Sequence, residues 1–136
     1  MKKVYLILII ILAGIAIKQA PQTFLTPASA LETQTNSEGS VIVKITPNLS
    51  TEVAFEVVLD THSGEISADL VQAVTFKDEN SKEYKPLRWE GDPAGGHHRE
   101  GILTFGIITP TPKTLQLIVQ NIGGIAERSF SWTTNS

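Results

Sequence analysis

The sequence predicts an all-β domain, an immunoglobulin-like antiparallel β-sandwich of about seven strands, preceded by an N-terminal apolar helix. Three observations carry that expectation. From Ser40 to Thr134 apolar residues recur at every second position in short runs, turn-forming residues separate those runs, and no stretch sustains a helical period. About seven short strands in about a hundred residues are what such a sandwich requires, and a partly closed barrel would give the same pattern.

The elements follow in chain order. Lys2 and Lys3 precede an uninterrupted apolar run from Val4 to Ile17, the order of a charged n-region and an h-region. As a helix the run measures roughly 20 Å, short of a hydrocarbon core of roughly 30 Å. Residues 1–30 therefore read as a signal peptide, cleaved after the small-x-small site Ala28-Ser29-Ala30, or as a signal anchor with Lys2 and Lys3 cytoplasmic. Polar composition from Lys18 to Ser40 offers little to bury, which leaves residues 31–39 as a linker and 40–136 as the β-sandwich domain.

Within that domain Val41, Val43 and Ile45 form the first alternating set, stopped by Pro47-Asn48. Val53, Phe55, Val57 and Leu59 alternate with Glu52, Ala54 and Glu56, which predicts a strand with one apolar and one wet face, Phe55 and Val57 inward and Glu56 outward. Leu70 to Phe76 forms a third strand. Asp78-Glu79-Asn80-Ser81 turns into a fourth from Lys82 toward Trp89. Gly101 to Phe105, Leu115 to Val119 and Ala126 to Trp132 complete the set, with Pro110 and Pro112 breaking the chain and Gly123-Gly124 turning it. Trp89 and Trp132 end apolar runs and are expected to fill core volume.

Composition narrows the function. The net charge is −3 with eleven scattered Lys and Arg residues, so no basic stripe exists for a phosphate backbone and nucleic acid is not an expected partner. Cysteine is absent, which removes disulfides, thiolate metal sites, a cysteine nucleophile and a lipid-bearing cysteine together.

Two segments, LDTHSGEISADL from Leu59 to Leu70 and YKPLRWEGDPAGGHHREGILTF from Tyr84 to Phe105, resemble a pair of motifs of small, exported, uncharacterised prokaryotic proteins. The resemblance implies an extracytoplasmic sandwich-like domain and brings no activity or ligand residue with it. Asp78-x-x-Ser81-Lys82-x-Tyr84 followed by a strand also looks like exported sandwich domains in general, an analogy of fold alone.

All three histidines fall in those segments: His62, and the pair His97-His98 after Gly95-Gly96. Two strand crossings restore the starting pole, so the loops after the second and fourth strands should share one end with the Gly123-Gly124 turn. That gathers Asp60, His62, Asp69, Asp92, His97, His98 and Glu100. Imidazoles with a carboxylate suit copper or zinc, which makes His62, His97, His98 and Asp60 candidate ligands. The alternative, preferred here, is a loop clasp: His62 caps the loop, Asp60 and Ser63 satisfy backbone donors, and the His pair closes one loop on the other. Asp60, His62 and Ser63 have the residue types of a hydrolytic triad, but near neighbours on one strand end do not present side chains to one another, so no enzyme is expected. The expected function is a non-catalytic extracytoplasmic binding or interaction module meeting a protein or envelope component, with a periplasmic or extracellular copper- or zinc-binding protein as the alternative. The membrane would be a further partner if the N-terminal segment stayed uncleaved.

Overall fold

A computed structural model describes residues 31–134. The expected N-terminal helix and the cleavage site lie outside them. The chain forms β1 (Gln34–Asn36), β2 (Val41–Asn48), β3 (Val53–Thr61), α1 (Leu70–Ala73), β4 (Val74–Lys77), β5 (Glu83–Tyr84), β6 (Arg88–Gly91), β7 (His98–Gly106), β8 (Thr114–Ile122) and β9 (Ile125–Thr133). One sheet has the order β1-β2-β3-β7-β6, the other β5-β4-β8-β9, and every pairing is antiparallel. Without β1 and β5, these orders are the ABED and CFG sheets of an immunoglobulin-like sandwich.

Alternation sets the core. On β3 the residues Val53, Phe55, Val57 and Leu59 are buried while Glu56 is exposed, as the pattern predicts. Val43 and Ile45 of β2 lie beside them in the same sheet, and Leu115 and Leu117 of β8 come from the opposing one, all four fully buried. Aromatic rings meet at the centre: Phe55 lies 6.0 Å from Phe76, 5.6 Å from Phe105 and 5.8 Å from Trp132. Trp132 is buried. Trp89 is half-buried against the same core, over Gly91 and Gly101, where an added Cβ would stand 2.9 and 2.8 Å from its Cζ2.

Among the described residues nine strands replace the expected seven, for local reasons. Residues 31–39, expected to be a linker, contain β1, because their polar side chains bond across to β9. Gln34 Nε2 donates to the Ser131 carbonyl (2.6 Å) and Gln34 Oε1 accepts from the Ser131 N–H (3.2 Å). Trp132 Nε1 adds a bond to the Glu32 carbonyl (2.7 Å). The edge of β9 is thus covered by side chains while β1 pairs by backbone with β2. Composition alone does not reveal such a seam.

Leu70 to Phe76 is half helix. Asp69 caps α1 by accepting from Val71 N–H (3.0 Å), and the single turn buries Leu70 before β4 starts. The strand expected from Lys82 to Trp89 is one crossing shared by two sheets. It leaves the β4 sheet after Tyr84, passes the buried Pro86, which has no N–H to donate to a ladder, and joins β7 as β6.

That crossing fixes the poles. β3 and β6 both run antiparallel to β7, so they point the same way, and the loops that follow them, 62–69 and 92–97, lie at one end. The Gly123-Gly124 turn joins that end, since Ser40 N–H donates to the Gly123 carbonyl (3.1 Å).

Candidate functional site

The histidine pole begins where the β3 and β7 ladder runs on into loops. Thr61 N–H donates to the His97 carbonyl, Ile66 N–H to the Gly96 carbonyl, and Gly95 N–H to the Ile66 carbonyl, each at 2.9 Å. Gly95 and Gly96 have φ of 110° and 74°, a left-handed stretch that lets the loop double back against Ile66. The two loops predicted to meet therefore do so, through backbone.

His98 lies on the outer face of β7, directly opposite Asp60 of β3. Its Nδ1 is 2.5 Å from Asp60 Oδ1, and its Nε2 is 3.0 Å from Glu100 Oε2, two residues along the same face. The Asp60 hydrogen bond first, and the Glu100 bond second, hold the imidazole above its ordinary pKa of 6.5. With a carboxylate at each nitrogen, the imidazolium donates from both. Glu100 is itself placed by Asp92, whose Oδ2 accepts the Glu100 N–H and whose own N–H donates to the Glu100 carbonyl, both at 3.0 Å.

The four candidate ligands are not brought to one point. His98 and Asp60 bond each other, whereas the side chains of His62 and His97 are exposed and make no hydrogen bond or ion pair among the described residues. No group of three or more His, Asp or Glu side chains among the described residues is arranged to hold a metal ion. The loop cap assigned to His62 belongs to its neighbour. Thr61 Oγ1 lies 2.8 Å from the Ser40 and Ser63 carbonyls and accepts from Ser63 N–H (3.2 Å), because its side chain points inward at the last position of β3. Asp60 points outward and satisfies His98 instead of backbone donors.

Two arginines are buried beneath the pole. Arg99 is 3% exposed, and its Nη1 donates to the Ala68 carbonyl (2.7 Å) and the Ile66 carbonyl (3.3 Å). Its guanidinium stands 5.6 Å from the centroid of Trp89. Arg128 is 1% exposed; Nη1 donates to Asn36 Oδ1 (2.8 Å) and the Val41 carbonyl (2.9 Å), and Nη2 to the Ile122 carbonyl (2.9 Å). Burial pushes both guanidinium pKa values down, opposed by the charges of Asp92 and Asp69 at Arg99 and of Glu38 at Arg128. Their signal was phase: Arg128, Phe130 and Trp132 share one face of β9, and Arg99 pairs with the inward Leu59.

Together the arginines pin loop 62–69, the start of β2 and the β8 to β9 turn. A cavity of about 350 Å³ lies between those segments, with Ser40, Ser63, Ser67 and Asn121 around an apolar floor of Val41 and Ile122. A second depression of about 350 Å³ on the outer sheet face has Glu56, Glu90, Asp92 and Glu100 around Val58 and Ile102. No family model, curated protein or solved structure matches this chain.

Proposed function

We propose that the chain is a non-catalytic binding module of the extracytoplasmic space that meets a protein or envelope component through the histidine pole. The observation that supports this reading most is the pole's construction. Two buried guanidiniums hold the backbone carbonyls of Ile66, Ala68, Val41 and Ile122 from beneath, while His62, Ser63, Glu65 and His97 stay exposed above. Loops fixed in this way lose little conformational freedom on binding, which favours recognition. The acidic side chains Asp60, Glu65, Asp69, Asp92 and Glu100 favour a partner with a basic surface.

Copper or zinc carriage is the weaker reading. A metal at His98 has to displace two carboxylate hydrogen bonds and a proton, because only neutral imidazole coordinates.

Photo-crosslinking in cells tests the proposal. A photoreactive residue in place of His62 is expected to give a discrete adduct that the same residue at Ser129, on the outer face of β9, does not give. The adduct should disappear in Arg99→Met, which releases the loop. Equal adducts from both positions, or none from His62, would refute the proposal.

A further inference from the structure

We infer that the pole opposite the histidines is a lipid-facing surface, on which Leu87 and Ile107 rest against the membrane carrying the N-terminal apolar run. The inference rests on the extracytoplasmic reading above and adds to it a tether and an orientation. Its first support is exposure: Leu87 is 65% and Ile107 72% exposed, the two most exposed large hydrophobic side chains among the described residues. Both sit at one end of the domain. Leu87 lies over Gly106, where an added Cβ would stand 2.9 Å from Leu87 Cδ1, and Ile107 follows Gly106 in the chain. Gly106 ends β7, the strand that starts at His98, so both residues lie at the end farthest from the histidines.

The second support is where the described chain begins. Gln34 pairs with Ile45 and Asn36 with Val43, so β1 runs toward the histidine pole and enters from the opposite one. Residues 18–31 separate Ile17 from Glu32. At the end-to-end reach of a flexible chain fourteen residues would span roughly 20 Å, whereas nine-residue strands make the domain roughly 30 Å long. A tether of that reach holds the near pole against the bilayer more readily than the far one. The apolar run from Val4 to Ile17 is flanked by Lys3 and Lys18, whose stems can reach to headgroup level from a short span.

Charge supplies a third support. The histidine pole carries Asp60, Glu65, Asp69, Asp92 and Glu100 while its arginines are buried, so an anionic lipid surface repels it. The opposite pole mixes signs, with Lys82, Arg88 and Lys113 among Glu52, Asp78 and Glu79. Two apolar side chains alone give only weak, reversible membrane contact, and the tether supplies the effective concentration that makes the contact persistent.

The chain has no cysteine, so single-cysteine variants can be labelled without ambiguity. The full chain is reconstituted into vesicles of phosphatidylcholine and phosphatidylglycerol, with an environment-sensitive fluorophore on Ile107→Cys, Thr111→Cys or His62→Cys. Flotation reads the tether, and quenching by nitroxide-labelled lipid reads the orientation. The expected result is flotation of all three, with several-fold stronger quenching at positions 107 and 111 than at 62, and weaker quenching at 111 when Leu87→Ser is added. Flotation with equal quenching at the two poles overturns the orientation and leaves the tether standing. Failure to float overturns the tether and the inference with it.

Discussion

Phe55→Ala tests the architecture most directly. Phe55 is fully buried at the centre of the sandwich and touches rings from both sheets: Phe76 and Trp132 from the β4 sheet and Phe105 from its own. Truncating a buried Phe to Ala costs about 3–5 kcal/mol, and losing three aromatic contacts places this site toward the upper end. A domain of about a hundred residues has roughly 5–15 kcal/mol of stability, so the variant should approach its unfolding threshold. A loss near 4 kcal/mol corresponds to a fall in Tm of at least about 15 °C at this size. Glu56→Ala, one residue along and exposed, should stay within about 0.5 kcal/mol of the parent. Urea titration monitored by tryptophan fluorescence separates the two. If both variants shift the midpoint equally and slightly, the assignment of inner and outer faces on β3 is wrong.

Three further outcomes follow from the pole and its turns. Arg99→Met orphans the Ala68 carbonyl, for a loss of about 1–3 kcal/mol, whereas the Ile66 carbonyl keeps its bond from Gly95. Amide exchange should therefore quicken at Ile66 and Gly95 more than in β8, and unchanged protection there would remove the pinning role. The His98 pKa is raised by folding, so the clasp contributes fully below the unfolded value of about 6.5, and its stabilisation is lost as pH rises through the higher folded value. His98→Gln should lack that fall, which begins above about pH 6.5; the same slope in parent and variant would mean that Asp60 and Glu100 do not stabilise the imidazolium. Gly39→Ala and Gly64→Ala both force alanine into positive φ, at about 1–2 kcal/mol. Only at Gly39 would the new Cβ also stand 2.3 Å from the Gly123 carbonyl, so thermal unfolding should rank Gly39→Ala as clearly the less stable.

Much of the fold was legible because burial follows sequence period. Val41, Val43 and Ile45, and Val53, Phe55, Val57 and Leu59, alternate in a way that states which face is buried, and only Ala54, beside the register shift at the start of β3, is buried against that pattern. The meeting of loops 62–69 and 92–97 was legible for a related reason, since strand parity depends only on crossings and survives the split at Pro86. Side-chain partners were harder to read. Asp60 and His98 are separated by 38 residues, and the choice between a cap, a ligand and an ion pair is made by β3 to β7 register, which pattern does not specify. Arg99 and Arg128 give a conflicting signal, because charged residues are expected outside while each sits on the apolar phase of its strand. Gln34 gave no signal at all, because a polar residue in a polar stretch looks the same whether it is solvated or bonded to Ser131, 97 positions away.

The Gln34 bond also sets an order of events. Synthesis from the N-terminus delivers β1 first and β9 last, so the side chain that imitates a strand against Ser131 must wait for almost the whole domain to emerge. Until then the partly delivered domain has its first strand present and its closing partner missing, with the core-facing side of β2 and β3 open to other chains. The last nine-residue strand therefore does more than complete a sheet: its arrival supplies the partner that closes the seam to the first strand, and mutations that slow it should appear as aggregation during folding before they appear as lost stability.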